Sequence, residues 1–276
     1  MNDKIRSNVQ SPFRQFKGAG AGLPLRLPVS LTPLGDPVDE ARRVAAAADA
    51  AGLAVRLAGG VGIALRCPSA GHGILKRPYA DLDLAGRSRD RRGIVALLNE
   101  LGYEPDAQFN ALHGARRLFF WDGANGRQCD VFLDRFEMCH RIDLLERLQS
   151  PGPTLPLADL LLMKLQIVET NAKDLADILT VLVDQPFTDD DSGINLPYLA
   201  RLAAADWGLW RTTTMVAERA DLFARSLAGF DRAVLVHDQV GRLLGALEEV
   251  PKSSSWKLRA RLGERKRWYE LPEEQR

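Results

Sequence analysis

Residues 57–84 constrain this chain more than any other stretch. They read Leu-Ala-Gly-Gly-Val-Gly-Ile-Ala-Leu, then a loop, then Lys-Arg-Pro-Tyr-Ala-Asp-Leu-Asp-Leu. The pattern predicts a strand, a glycine turn, a short helix, a loop and a second strand. Asp81 and Asp83 stand two apart in an apolar run, so on a strand both carboxylates leave the same face. Like charges held that close disfavour each other unless a proton or a cation lies between them. Paired hard oxygens suit Mg²⁺.

The surrounding chain frames that stretch. Residues 1–35 carry Lys4, Arg6, Arg14, Lys17 and Arg26 among scattered prolines and glycines, which predicts an extended arm. Asp36 followed by Pro37 is a helix start, and the alanine-rich run over 38–51 stops at Gly52. Residues 54–58 read as a strand entering Gly59-Gly60, and the loop over 67–79 delivers Lys76 and Arg77 just before the acidic strand. Ser88 is expected to cap a helix over 90–101 that ends at Gly102. Two strands, 115–121 and 127–133, flank a hairpin turn over 122–126. Prolines over 151–156 break this pattern, and nearly everything beyond is helical. The expected fold is α+β: a mixed sheet with flanking helices over 36–150, followed by a helical domain over 151–276.

Two further residues stand out by context. Asp130 is alone among apolar neighbours in the strand over 127–133, and a buried strand position does not tolerate an unpaired carboxylate, so a cation or donor should face it. Asp134 shares its face but ranks second, because the strand gives way there to Arg135. In the helical half, Leu157, Leu160, Leu161, Leu165 and Val168 form one apolar stripe and Leu175, Ile178, Leu179 and Leu182 another. Lys164 is stacked between Leu160 and Val168 at spacings of four. A lysine on that side calls for an anion, the alternative being a stem that snorkels from the edge of the stripe.

Composition narrows the function classes. With 37 basic and 36 acidic residues the net charge is +1, so any nucleic-acid footprint must be local. The segment 252–268 is such a footprint: seven basic residues against Glu264 alone, with Trp256, Trp268 and Tyr269 nearby. That mixture suits a phosphate backbone and unstacked bases, or else a solvated helix end. Three cysteines without paired spacing argue against a disulfide framework or a structural zinc site. No apolar run approaches the roughly 18 residues of a membrane span, and no apolar core of a signal peptide is present, so a cytoplasmic chain with no membrane partner is expected. Gly60-Val61-Gly62 partly matches a dinucleotide fingerprint, but Leu65 stands where helix-to-strand packing needs glycine or alanine. The four histidines show no ligand spacing.

Apolar-Gly-Gly, then Asp-x-Asp in an apolar strand, then apolar-Asp-apolar on a later strand resembles the polymerase-beta-type nucleotidyltransferase superfamily. Arg77 four residues before Asp81, then Lys164, then Lys173-Asp174-Leu-Ala-Asp177-Ile-Leu, is similar to its AbiEii-type branch, which includes toxins of toxin–antitoxin pairs. The resemblance spans residues 37–185. It implies a nucleotidyltransferase catalytic domain over 36–150 that moves a nucleoside monophosphate from a nucleoside triphosphate to an acceptor hydroxyl and releases pyrophosphate. It further implies two Mg²⁺ ions on Asp81, Asp83 and Asp130, with Asp130 nearest the acceptor. Backbone N–H groups at Gly59 and Gly60 would cradle the triphosphate with Arg77, Lys164 would contact it, and Asp174 would activate the acceptor or base. The implied partners are an RNA acceptor, most plausibly the 3′ end of a transfer RNA, and an antitoxin protein. Many superfamily members place serine after the glycines, whereas Val61 and Gly62 stand here, so phosphate gripping leans on backbone and Arg77.

Two alternatives follow from other function classes. An antibiotic nucleotidyltransferase acting on aminoglycosides or lincosamides would line its cleft with acidic residues, yet Asp189-Asp190-Asp191 is the one acidic run and reads as loop charge. A catalytically inactive binding protein of the same fold need not keep three aspartates.

Overall fold

The computed structural model describes residues 31–271. The basic residues of the amino-terminal arm lie outside them. A five-stranded sheet runs in the order β1-β2-β5-β4-β3, formed by β1 (Arg56–Leu57), β2 (Leu82–Gly86), β3 (Glu104–Pro105), β4 (Arg117–Asp122) and β5 (Arg127–Leu133). Only β2 and β5 pair in parallel; the other neighbours are antiparallel. The sheet is therefore mixed, as the sequence predicts.

Period-two alternation gives the sheet two different faces. Leu82, Leu84, Leu118, Phe120, Cys129 and Val131 point to one side and pack against α1 (Pro37–Ala50) and α3 (Arg91–Glu100). Helix α1 starts as expected: the Asp36 carboxylate accepts from the backbone N–H groups of Val38 and Asp39, with Pro37 in the first turn. On the other side, Asp83, Ala85, Asp130 and Phe132 face the helical half, where Ala85 and Phe132 join a core built from α5 (Leu157–Leu165), α6 (Ala172–Asp184) and their neighbours. The carboxylates thus lie on the face that meets the helices.

Helix α2 (Gly59–Arg66) links the two parts, packing against β2 and α5. Gly62 permits this approach, since a methyl group there would press on a Leu160 methyl and the Leu57 carbonyl. Gly62 is a packing residue.

After α4 (Ala107–His113), β4 and β5 form the expected hairpin, whose turn is tied by Asp122 accepting from Arg127 at 2.6 Å and from Asn125 at 3.0 Å. A second hairpin, β6 (Arg135–Glu137) with β7 (Arg141–Asp143), precedes the helical half. That half continues through a two-stranded ladder, β8 (Phe187–Thr188) with β9 (Ile194–Asn195), and α7 (Leu196–Ala205), α8 (Trp207–Ser226), α9 (Ala233–Glu249) and α10 (Ser254–Leu262). Among the described residues, no helix is long and apolar enough to cross a membrane. All three cysteines are buried and unpaired.

Three local expectations are corrected. Ser88 does not cap α3 with its side chain; it opens a 3₁₀ turn and its N–H donates to the Asp134 carboxylate at 2.9 Å. Asp134 itself, with φ of 63°, turns the chain out of β5 and is spent on that bond. In the basic segment, the aromatic side chains are built into the helical half rather than held out for stacking. Trp256 donates to the Ala203 carbonyl, Trp268 to the Thr212 hydroxyl, both at 3.0 Å, and Arg259 lies over the Trp207 ring. Lys257 and Arg261 remain exposed.

Candidate functional site

The site begins with strand register. Asp83 and Asp130 are directly opposed in the β2–β5 pair, so neighbouring parallel strands deliver two carboxylates to one patch of one face. Asp81 precedes β2 by one residue and is exposed. Asp83 is crowded. Burial, then the charges of Asp130 and Asp81, push its carboxyl up to about 6, against an opposing pull from Lys164 and Arg117. Asp130 is also raised, by burial, although its Oδ1 accepts from Arg117 Nε at 2.7 Å. Asp83 and Asp130 therefore lie side by side with one contacting cation, Arg117, on Asp130, while the exposed Asp81 acts on Asp83 through its charge.

Helix α2 begins directly against these groups. Gly59 adopts φ of 57°, a left-handed conformation costly for other residues, and a methyl group there would overlap Asp83 Oδ2. At Gly60 a methyl group would meet Arg77 Nη2 and the Tyr79 ring. Both glycines are thus required by what lies against them: a carboxylate in one case, a guanidinium in the other.

On the helical side the charges balance. Lys164 Nζ donates to Asp174 Oδ1 at 2.9 Å and lies 3.0 Å from Asp177 Oδ2. Arg77 grips the same Asp177 with two parallel bonds, Nε to Oδ1 at 2.7 Å and Nη2 to Oδ2 at 2.6 Å, while its guanidinium lies 4.2 Å over the Tyr79 ring. Burial by itself would lower Lys164, but Asp177 and Asp174 more than offset it and hold the ammonium above the ordinary lysine range. Arg77 is raised in the same way, Asp177 outweighing burial. Asp174 also closes the capping box that starts α6 with Asn171. The anion that Lys164 was expected to need is internal, formed by two carboxylates one helical turn apart.

Sequence reasoning singled out Asp81, Asp83, Asp130, Asp174, Gly59, Gly60, Arg77 and Lys164. The structure places Gly59 on Asp83, Gly60 on Arg77, Asp83 beside Asp130, and Lys164 on Asp174. Two participants, Tyr79 and Arg117, were missed, and a third, Asp177, was named in the motif but given no role. Asp177, which joins Arg77 to Lys164, was signalled by its position three residues after Asp174 on an otherwise apolar helix face. Tyr79 was signalled only by lying between Arg77 and Asp81. Arg117 carried no signal in its spacing, because its role depends on pairing between β4 and β5.

The donors suit a hard divalent cation in kind: carboxylate oxygens only, with Asp83 raised first by burial and then by the charges of Asp130 and Asp81, which a cation would offset. Among the described residues, no three His, Cys, Asp or Glu side chains stand gathered for a metal ion, and one oxygen of Asp130 is committed to Arg117. Asp81, Asp83 and Asp130 are the residues that would hold such an ion.

Fold and site together define an α+β protein with paired strand carboxylates at a glycine-led helix start. No family model matches the chain, and no curated protein does. Among solved structures it is similar to JHP933 from Helicobacter pylori, at 12% identity and a TM-score of 0.36, over 80% of this chain and 95% of that one. It is also similar to a "putative nucleotidyltransferase from H. pylori", at 13% identity and a TM-score of 0.34, over 78% and 97%. Likeness at this level carries no functional assignment, and the reading below rests on the site.

Proposed function

We propose that this chain is a metal-dependent nucleotidyltransferase that moves a nucleoside monophosphate from a nucleoside triphosphate to an acceptor hydroxyl. The observation that carries the reading is the register of Asp83 against Asp130 beneath the start of α2, with Lys164 and Arg77 close by on the helical side. An acceptor oxygen attacks the α-phosphorus, the bond to the bridging oxygen breaks, and pyrophosphate leaves with the electron pair. Asp130 orients the acceptor hydroxyl and takes its proton. The open N–H groups of the first turn of α2 face phosphate oxygens, and Lys164 offsets their charge. Asp81, Asp83 and Asp130 would hold Mg²⁺, which when bound would neutralise triphosphate charge and make the acceptor hydroxyl more acidic.

Arg77 has a different role from the one that the resemblance implies. Its fork is filled by Asp177, so it braces the cleft by holding the loop before β2 to α6. Asp174 likewise positions Lys164 rather than touching the acceptor. The acceptor is read as RNA and the location as cytoplasmic; a toxin role with an antitoxin partner rests on the resemblance alone.

The test is to incubate the protein and Mg²⁺ with each α-labelled nucleoside triphosphate in turn, offering total RNA in one set and aminoglycosides and lincosamides in another. Label on RNA with release of pyrophosphate is the expected result. Label on small molecules only would refute the RNA acceptor, and label on nothing would refute the transferase reading.

A further inference from the structure

The sheet face that carries Asp130 continues into a cavity that the transfer reaction has not used. Two residues further along β5, about 7 Å on, is Phe132, directly opposite Arg117 on β4. Phe132, Arg117, Phe109 of α4, Arg116 and Arg135 line a cavity of about 600 Å³, within the roughly 300–1,000 Å³ common for ligand sites. Arg117 lies 5.6 Å from the Phe109 ring centre and 5.3 Å from that of Phe132, so its guanidinium sits between two aromatic faces while Nε holds Asp130. Arg116 and Arg135 share the single carboxylate of Glu137, each at 3.3 Å, with Arg141 at 3.9 Å. Glu270 is the other acidic wall residue, carried there by the carboxyl-terminal segment, whose Glu270 N–H donates to the Cys139 carbonyl at 3.0 Å.

These walls have a definite chemistry. With Arg117 held by Asp130, Arg116 and Arg135, and Arg141 beside them, stand against Glu137 and Glu270 and leave one positive charge in excess, and the exposed or half-exposed guanidiniums offer forked donors that match phosphate. Phe109, half-exposed at the wall, adds a flat apolar face on which a base can stack, while Phe132 lies buried beneath Arg117. A polycationic aminosugar meets the wrong charge here. A strand of nucleic acid meets both halves of what it presents, rings and phosphates.

We propose that this cavity is the acceptor subsite, and that it takes the single-stranded end of an RNA, with the terminal ring against the half-exposed Phe109 and phosphates on Arg116 and Arg135. The inference rests on the transferase reading for the word acceptor, but the binding does not require catalysis. Arg117 then links the two places, touching the pocket on one side and Asp130 on the other.

The test is binding of a fluorescein-labelled short single-stranded RNA by anisotropy, without nucleotide or Mg²⁺, using the full chain. Replacing both Arg116 and Arg135 by alanine should weaken binding about tenfold or more and flatten its salt dependence, with Phe109→Ala also weakening it. Glu137→Gln should strengthen binding, because it frees the arginines that Glu137 engages; a merely structural role for this cluster would not. Equal binding by the unaltered protein and the double arginine variant, both folded by circular dichroism, would overturn the subsite, as would weaker binding by Glu137→Gln. Pocket-dependent binding without label transfer by the unaltered protein would sink the transferase reading and leave the RNA site standing. Label transfer to RNA with an unchanged KM in the double variant would do the reverse.

Discussion

The two sides of the cleft hold charge in opposite ways. On the helical side, Lys164 and Arg77 meet Asp174 and Asp177, two cations for two anions, each in direct contact with its partner. On the sheet side, Asp81, Asp83 and Asp130 have Arg117 as the contacting cation, and Asp83 is pushed up toward neutrality. A buried network whose charges balance holds two elements in place, and removing one member leaves an uncompensated ion. A group of like charges that does not balance stores an affinity for something positive. The first arrangement supports the site; the second is the site.

Four changes should break or sharpen that contrast, the largest effect first. Lys164→Ala removes the partner of two buried carboxylates and should cost about 3–5 kcal/mol of stability, read by denaturant unfolding. The apolar stripe around Lys164 argues for the opposite sign if the lysine is taken as unpaired, so this measurement separates a balanced network from a lone buried charge. Asp83→Asn, on the sheet side, should leave stability unchanged or raise it. If both variants destabilise equally, the distinction between the two sides fails.

Gly59→Ala places a methyl group against Asp83 at a left-handed φ and should cost about 2 kcal/mol or more. Coupling to Asp83→Ala, which opens the space, should recover part of that loss. No recovery in the double variant would mean that the cost comes from backbone strain alone.

A pH effect is of similar size. The Asp83 carboxyl stands at about 6 when folded and near 3.9 when unfolded, so folding favours its protonated form. Its contribution is fully present below about pH 3.9 and is lost as pH rises through about 6, a change of about 3 kcal/mol. Relative to Asp83→Asn, the unaltered protein should therefore lose melting temperature across pH 4 to 6. Added Mg²⁺ should restore it above pH 6, and should do nothing for Asp83→Asn. A melting temperature that tracks that of the variant at every pH would remove the strain assigned to Asp83.

The smallest effect is at Arg117, whose bond to Asp130 is partly open to solvent. Arg117→Ala should cost about 1 kcal/mol. A loss as large as that from Lys164→Ala would make Arg117 a member of a balanced network after all.

What could be read from the chain follows the same divide. On the sheet side, Asp-x-Asp and the solitary Asp130 break a strict alternation and were legible as candidates, whereas the parallel pairing of β2 with β5 that sets Asp83 beside Asp130 is long-range and no hairpin fixes it. Gly59 and Gly60 were legible as a turn, though what they make room for was not. The helical side was legible as an unsatisfied lysine, but its partners lie ten and thirteen residues on, across a helix break, and no periodicity joins them. Short elements such as β3, β6 and β7 hold two or three residues each and carry no period to detect. The aromatic residues of the segment 252–268 looked available because composition records which side chains are present and not what they pack against.

The most direct test of the account is Mg²⁺-dependent transfer from an α-labelled nucleoside triphosphate to RNA, with pyrophosphate release followed in parallel, for the unaltered protein and for Asp83→Asn. The account predicts matched label and pyrophosphate from the unaltered protein, and a loss of about a hundredfold or more in a variant that melts at the same temperature or higher. Transfer by Asp83→Asn at the rate of the unaltered protein would contradict it.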